Sequence, residues 1–250
     1  QQKAAWFRGS MERMDALLQL VLSASSQSGD GLTTLTEYVA RMQPGQEAIY
    51  YLTGLTLESV GQSPHLEAFR EKGLEVLYLT DPVDELWTAA GTEFEGRKFQ
   101  SVGKGEVSLG AKGEAVAEGE HPAVADEFAR ILNGLRELLA DEVKEVRLST
   151  RLVASPACLV GEERDLSPHL DELMRKMGHA MERKKRILEI NPQHDLIDKL
   201  RRQFEADPQG PALKDYARLL YGQALLAEGS PLPDPAGYSR LIAELMARTL

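Results

Sequence analysis

The stretch from Ile49 to Glu85 constrains the fold of this 250-residue chain more than any other. Ile49-Tyr50-Tyr51-Leu52 is an apolar run rich in aromatic and β-branched residues and stopped at Gly54, which predicts a buried strand. Ser63 then offers a cap, Pro64 suits a first helical turn, and Leu66, Phe69 and Arg70 carry a helix on to Lys72-Gly73. Glu75 to Leu79 reads as a second strand. Two strands joined through a helix are expected to lie parallel with a right-handed crossover, so this part of the chain is an α/β layer.

The rest of the chain divides by pattern. A helix is expected from Met11 to Ser23, where Met14, Leu17, Leu18, Val21 and Leu22 form one stripe, followed by a loop from Ser25 to Gly31. Thr36 caps a short helix through Arg41, and a further helix runs from Pro82 to Ala90, ended by Gly91. From Gly103 to Glu120 the sequence GKGEVSLGAKGEAVAEGE has few large apolar groups and reads as a linker. After Pro122 a helix carries Val124, Phe128, Ile131, Leu132, Leu135, Leu138 and Leu139. Strands follow at Val143 to Leu148, Ala157 to Val160 and Ile187 to Ile190, with helices at Pro168 to Gly178, Pro192 to Glu205, Leu213 to Ala227 and Pro235 to Ala247. The expected class is α+β overall: a small α/β sandwich subdomain in 1–102, a linker over 103–122, and an α+β domain in 123–250 that ends in a helical pair.

Charge and composition exclude several functions. With 39 acidic and 29 basic residues the net charge is −10, whereas binding a phosphate backbone needs a clustered basic face. The basic run Arg183-Lys184-Lys185-Arg186 reads as a solvated connector, and no nucleic-acid partner is expected. Cys158 is the one cysteine; it lies in an apolar run, and buried packing is the default for such a thiol. No apolar stretch approaches the roughly 20 residues of a membrane helix, and Trp6, Arg8 and Glu12 interrupt any signal-peptide pattern. A cytoplasmic location and no membrane partner are expected. The opening Gln1-Gln2-Lys3 suggests a fragment.

Catalytic patterns are missing from the sequence. Gly105 to Lys112, GEVSLGAK, has the outline of a phosphate loop, but Ala111 intervenes, no hydroxyl follows Lys112 and no strand leads in. The histidines at 65, 121, 169, 179 and 194 are scattered. Asp165 with His169, or His194 with Asp195, amounts to an acid beside an imidazole, which on a surface helix is an ordinary ion pair. No catalytic residue, cofactor or metal ligand is assigned. A rival reading is a small-ligand enzyme with a pocket at the strand ends around Thr53 and Thr80.

Two apolar stripes remain. Leu166, Leu170, Leu173, Met174 and Met177 recur at helical spacing among charged neighbours. They suit either a helix buried in the core or an adaptable surface for apolar segments of other proteins, since unbranched methionines re-pack easily. Tyr238, Leu241, Ile242, Leu245 and Met246 form the second stripe, beside Leu213, Tyr216, Leu219, Leu220, Ala224 and Ala227 on the preceding helix. An antiparallel pair hides one face within its own domain, and its other face needs a partner.

The wording of the sequence goes further than its pattern. IYYLTG, SPHLE, KGLEVLYLTDPVDE and TEFEGRKFQSV (Thr92 to Val102) closely resemble the late middle domain of the ninety-kilodalton heat-shock protein chaperones, the bacterial HtpG type in particular. LEINPQH (Leu188 to His194) and QALLAEG (Gln223 to Gly229) resemble the C-terminal domain of the same family, in the same order. The resemblance implies one half of an ATP-dependent stress-response chaperone: a homodimer that binds unfolded or partly folded client proteins and has other chaperones among its partners. It implies client contacts at the 166–177 stripe and at Leu86 and Trp87, an exposed Trp87 being a contact and a buried one core. It also implies a dimer seam through Tyr216, Leu219, Leu220, Tyr238, Leu241, Ile242, Leu245 and Met246. ATP and magnesium belong to an N-terminal domain outside this chain, so the chain alone is not expected to be an enzyme. The ending MARTL lacks the acidic MEEVD tail, so no co-chaperone docking through such a tail is expected. The rival to this reading is a structural oligomerisation module without client binding.

Overall fold

The computed structural model describes residues 18–29, 31–89, 93–107, 122–163, 165–167, 170, 171, 174, 178 and 184–249. The first half is organised by one mixed sheet of six strands: β1 (Leu22–Ser25), β2 (Thr33–Thr34), β3 (Ala48–Thr53), β4 (Leu77–Leu79), β5 (Glu93–Phe94) and β6 (Arg97–Ser101), in the order β2-β1-β4-β3-β6-β5. The apolar run at 49–52 lies at its centre, parallel to β4 on one side and to β6 on the other. Because side chains alternate along a strand, Tyr50 and Leu52 pack with Phe69 and Val76 on one face. Ile49 and Tyr51 pack with Leu35, Tyr38, Leu77 and Trp87 on the other. Burial on both faces explains why the run is apolar throughout rather than alternating.

The helices of this half are α1 (Leu35–Arg41), α2 (Leu57–Gly61), α3 (Glu67–Glu71) and α4 (Pro82–Ala89). The expected helix from Met11 to Ser23 is corrected at its end. Leu18 is helical and buried, but the chain becomes β1 at Leu22, where Leu22 pairs with Thr34 and Ala24 with Tyr78. Residues 11–17 lie outside the described residues. Ladder pairing outweighs the weak strand propensity of Leu-Ser-Ala-Ser, as tertiary context does for strands in general. The cap of α1 is Thr34 rather than Thr36, because Thr34 and Glu37 form a reciprocal capping box.

Ser63 caps as expected, yet the segment after it is a 3₁₀ turn (Pro64–Leu66) running into the short α3. β4 begins at Leu77 rather than Glu75, since the buried Glu75 carboxylate is drawn to Ser25 at 2.5 Å and Arg41 at 2.8 Å. The short α2 and the strands β5 and β6 were not among the expected elements.

The second half is a three-stranded sheet, β7 (Val143–Leu148), β8 (Ala157–Val160) and β9 (Arg186–Ile190), with β9 central, parallel to β7 and antiparallel to β8. α5 (Pro122–Leu138), α6 (Asp195–Ala206), α7 (Pro211–Ala227) and α8 (Pro235–Thr249) accompany it. Phe128, Ile131 and Leu135 of α5, the positions picked out by helical spacing, share a core with Leu188, Ile190, Phe204 and Leu220. α6 starts later than expected because His194 acts as its cap, its Nδ1 accepting the Leu196 N–H at 3.0 Å. The class is α+β. Of the helix expected from Pro168 to Gly178, Leu170, Asp171 and Met174 are helical and Gly178 is in a turn, while the remaining positions lie outside the described residues.

Candidate functional site

The two sheets meet through the loop that joins β7 to β8. The Arg151 guanidinium, 1% exposed, donates to Glu189 on β9 at 2.9 Å, to the Val102 carbonyl at 2.6 Å and to the Gly105 carbonyl at 2.7 Å. From the other side, the Glu67 carboxylate of α3 accepts the successive N–H groups of Val153, Ala154 and Ser155, and the Ser155 hydroxyl at 2.5 Å. Burial works against ionisation of Glu67, but these hydrogen bonds outweigh it and hold the carboxyl below its usual range. The linker expected from residue 103 is described only as far as 107, and that stretch is fastened: Gly105 donates to the Gly161 carbonyl at 2.8 Å and Val107 is buried.

A cleft of about 70 Å³ opens at this junction, at the carboxyl end of β3, lined by Thr53, Gly54, Ser63, His65, Lys104 and Ser167 among others. It is where an α/β enzyme would hold a ligand, but pockets for drug-sized ligands run to roughly 300–1,000 Å³. Thr80 does not line it.

His65, which the scattered histidines of the sequence gave no reason to single out, is buried, and its Nδ1 has no hydrogen-bond partner among the described residues. Burial first, and then the charges of Arg151 and Arg186, lower its pKa from 6.5 to about 3. In the unfolded chain the imidazole takes up a proton first, so its contribution to stability is complete above about pH 6.5 and is lost as pH falls from there towards 3. A His65→Leu protein is expected to show a flatter loss of stability over that range. Urea unfolding at pH 7 and pH 5 checks this, and an unchanged difference between the two would refute it.

The residues of the proposed client surface are treated unequally by the fold. Trp87 is 8% exposed, stacks edge-on against Phe99 with ring centres 4.9 Å apart and donates its indole N–H to Asp84 at 3.0 Å. It is therefore core, the outcome that removes it as an exposed contact. Leu170 is likewise buried at 9%, whereas Leu166 and Met174 are half-buried. Leu173, Met177 and the side chain of Leu86 lie outside the described residues.

The stripe expected to form a dimer seam divides too. Leu220 belongs to the core of its own domain. Tyr216, Leu219, Leu241 and Leu245 line a crevice between α7 and α8, and Tyr238 packs over Gly222, where an added Cβ would meet its ring at 2.4 Å. That bare backbone is what lets α8 approach α7 so closely. Ile242 and Met246, on the flank of the same stripe, are 39% and 57% exposed.

Cys158 is buried, and burial pushes its thiol well above the ordinary range. Among the described residues no three His, Cys, Asp or Glu side chains gather as a metal site, and no helix is long and apolar enough to cross a membrane.

Comparison with known proteins identifies the family. The family model of the Hsp90 protein matches residues 8–250. Proteins named chaperone protein HtpG are similar over 96% of the chain: that of Frankia casuarinae at 50% identity, that of Rhodococcus jostii at 48% and that of Mycobacterium tuberculosis at 48%. The chain spans 37% of the length of each. On this evidence the chain belongs to the Hsp90 protein family.

Proposed function

We propose that the chain is the C-terminal part of a bacterial HtpG-type chaperone, acting in the cytoplasm, which joins two subunits and offers an apolar surface to unfolded or partly folded proteins. The observation that carries the reading is the helical pair α7 and α8, whose inner side chains are used within the chain while Ile242 and Met246 remain exposed. On this reading residues 1–102 are the end of a middle domain, 103–122 a linker and 123–250 the dimerisation domain. ATP and magnesium are held by a nucleotide domain that this chain does not contain, so the chain takes part in turnover only by linking the subunits and holding clients. Other chaperones are expected among the partners of the whole protein.

The client surface on this reading runs through the half-buried Leu166 and Met174 rather than through Trp87. Replacing both by serine is expected to weaken binding of a reduced and alkylated, permanently unfolded polypeptide about tenfold, with little change in melting temperature, because half-exposed apolar groups give up little folding energy when made polar. Leu170 is left in place, since truncating a buried leucine costs roughly 2–5 kcal/mol. Unchanged affinity would favour a second reading, an oligomerisation module without client binding. The burial of Trp87 and Leu170 supports that alternative.

A further inference from the structure

The turn that joins α7 to α8 borders a second cavity, of about 320 Å³. Unlike the junction cleft, it falls within the roughly 300–1,000 Å³ that small-ligand sites occupy. Leu139, just past α5, and Tyr221 and Leu225 of α7 give it a buried apolar floor. Leu232 of the turn, with Tyr238 and Leu241 of α8, lines it with half-buried side chains. Gly222 and Gly237 line it too, so part of its wall is bare backbone.

Charged side chains stand around this apolar floor. Arg218 of α7 and Arg240 of α8 line the cavity and are exposed, as are Glu142, Asp234 and Glu244. Asp234 is committed, its carboxylate accepting the Gly237 N–H at 2.9 Å, and Glu244 is already engaged. Among the described residues the side chains of Arg218, Arg240 and Glu142 make no hydrogen bond or ion pair. Two guanidinium groups from two helices are thus left against one carboxylate, and neither closes onto it although all three line the same space. A guanidinium presents paired N–H donors that match the two oxygens of a carboxylate. The tyrosine rings suit a planar apolar body, since aromatic groups gain from stacked or edge-on contact beyond the area they bury.

We propose that this cavity binds a small aromatic carboxylic acid, its carboxylate held by Arg218 and Arg240 and its ring packed against Leu139, Tyr221, Leu225 and Tyr238. An amine of the same shape meets two uncommitted cations and is disfavoured, while the corresponding alcohol keeps only the apolar part of the interaction. The inference does not rest on the chaperone or dimer reading: Ile242 and Met246, the flank assigned to the subunit seam, are not among the residues that line the cavity.

Calorimetric titration of the full chain with 1-naphthoate tests it, with 1-naphthylmethylamine and 1-naphthylmethanol as the matched cation and neutral probe. Naphthoate is expected to bind with a Kd of about 0.1 mM, well within what a ligand of its size achieves per atom, and more tightly than either control. The Gly222 and Gly237 amide resonances are expected to shift as it binds. Arg218→Gln together with Arg240→Gln is expected to weaken naphthoate about tenfold, because each lost charge-assisted hydrogen bond is worth that much or more, and to leave the alcohol unaffected. Both arginines are exposed, so the melting temperature of the double variant is expected to stay that of the unmodified chain. Naphthoate binding weaker than about 1 mM, an amine that binds as tightly as the acid, resonance shifts confined to other parts of the chain, or unchanged affinity in the double variant would each overturn the site.

Discussion

Replacing Arg151 by methionine is expected to lower the folding stability of the chain by about 3–5 kcal/mol, the range measured when one partner of a buried ion pair is removed. The guanidinium satisfies Glu189, which is 2% exposed, together with two backbone carbonyls from the first half of the chain. Without it the carbonyls of Val102 and Gly105 lose a strong donor away from water, and each such group costs roughly 1–3 kcal/mol. Glu189 itself keeps Arg147 at 2.8 Å and the Ser149 hydroxyl at 2.9 Å, which moderates the loss at the carboxylate. Because Arg151 binds residues on both sides of the junction, the unmodified chain is expected to unfold in urea in a single transition and the variant in two. A loss below about 1 kcal/mol, within the range of an exposed ion pair, would show that the arginine does not join the halves.

The second large effect concerns the subunit seam. Ile242→Glu together with Met246→Glu is expected to convert a dimer into a monomer at micromolar concentration, measured by light scattering. Two-fold symmetry sets each new carboxylate in the interface twice, and desolvating an unpaired carboxylate costs several kcal/mol, where every 1.4 kcal/mol is about tenfold in affinity. The exposed positions are the right ones to change, because Leu241 and Leu245 line the crevice against α7 and a charge there would disturb the monomer as well. A double variant that stays dimeric would refute this face as the seam, and an unmodified chain that scatters as a monomer would refute the dimer.

What the sequence revealed and what it concealed follow from the range of the forces involved. β7 and β8 lie where alternation and apolar runs predict them, and α5, α7 and α8 follow their helical stripes, because those patterns are local consequences of burial. β1 carries no local strand signal, since its identity depends on pairing with Thr34 and Tyr78. The burial of Trp87 is invisible locally because its stacking partner Phe99 sits on β6, a strand with no clear sequence signal. Arg151 drew no notice in STRLVAS: its partners lie 38 to 49 positions away, and nothing near it marks it as buried. The dimer stripe was visible as five apolar positions, but which of them are spent within the chain depends on the crossing of α7 and α8. That crossing is set by Gly222, a residue with no side chain to read.

The contact at Gly222 has a mechanical consequence. Where the Tyr238 ring rests on the α7 backbone only the ring itself can yield, so a displacement of α8 larger than that one rotamer absorbs presses directly on the backbone of α7. It must move α7 as a body, and α7 packs on β8, the strand that runs into Gly161 and so reaches the junction with the first sheet. In the proposed dimer, a strain arriving at Ile242 and Met246 would pass, as through meshed teeth, along tyrosine, helix and strand to the place where Arg151 holds the halves together.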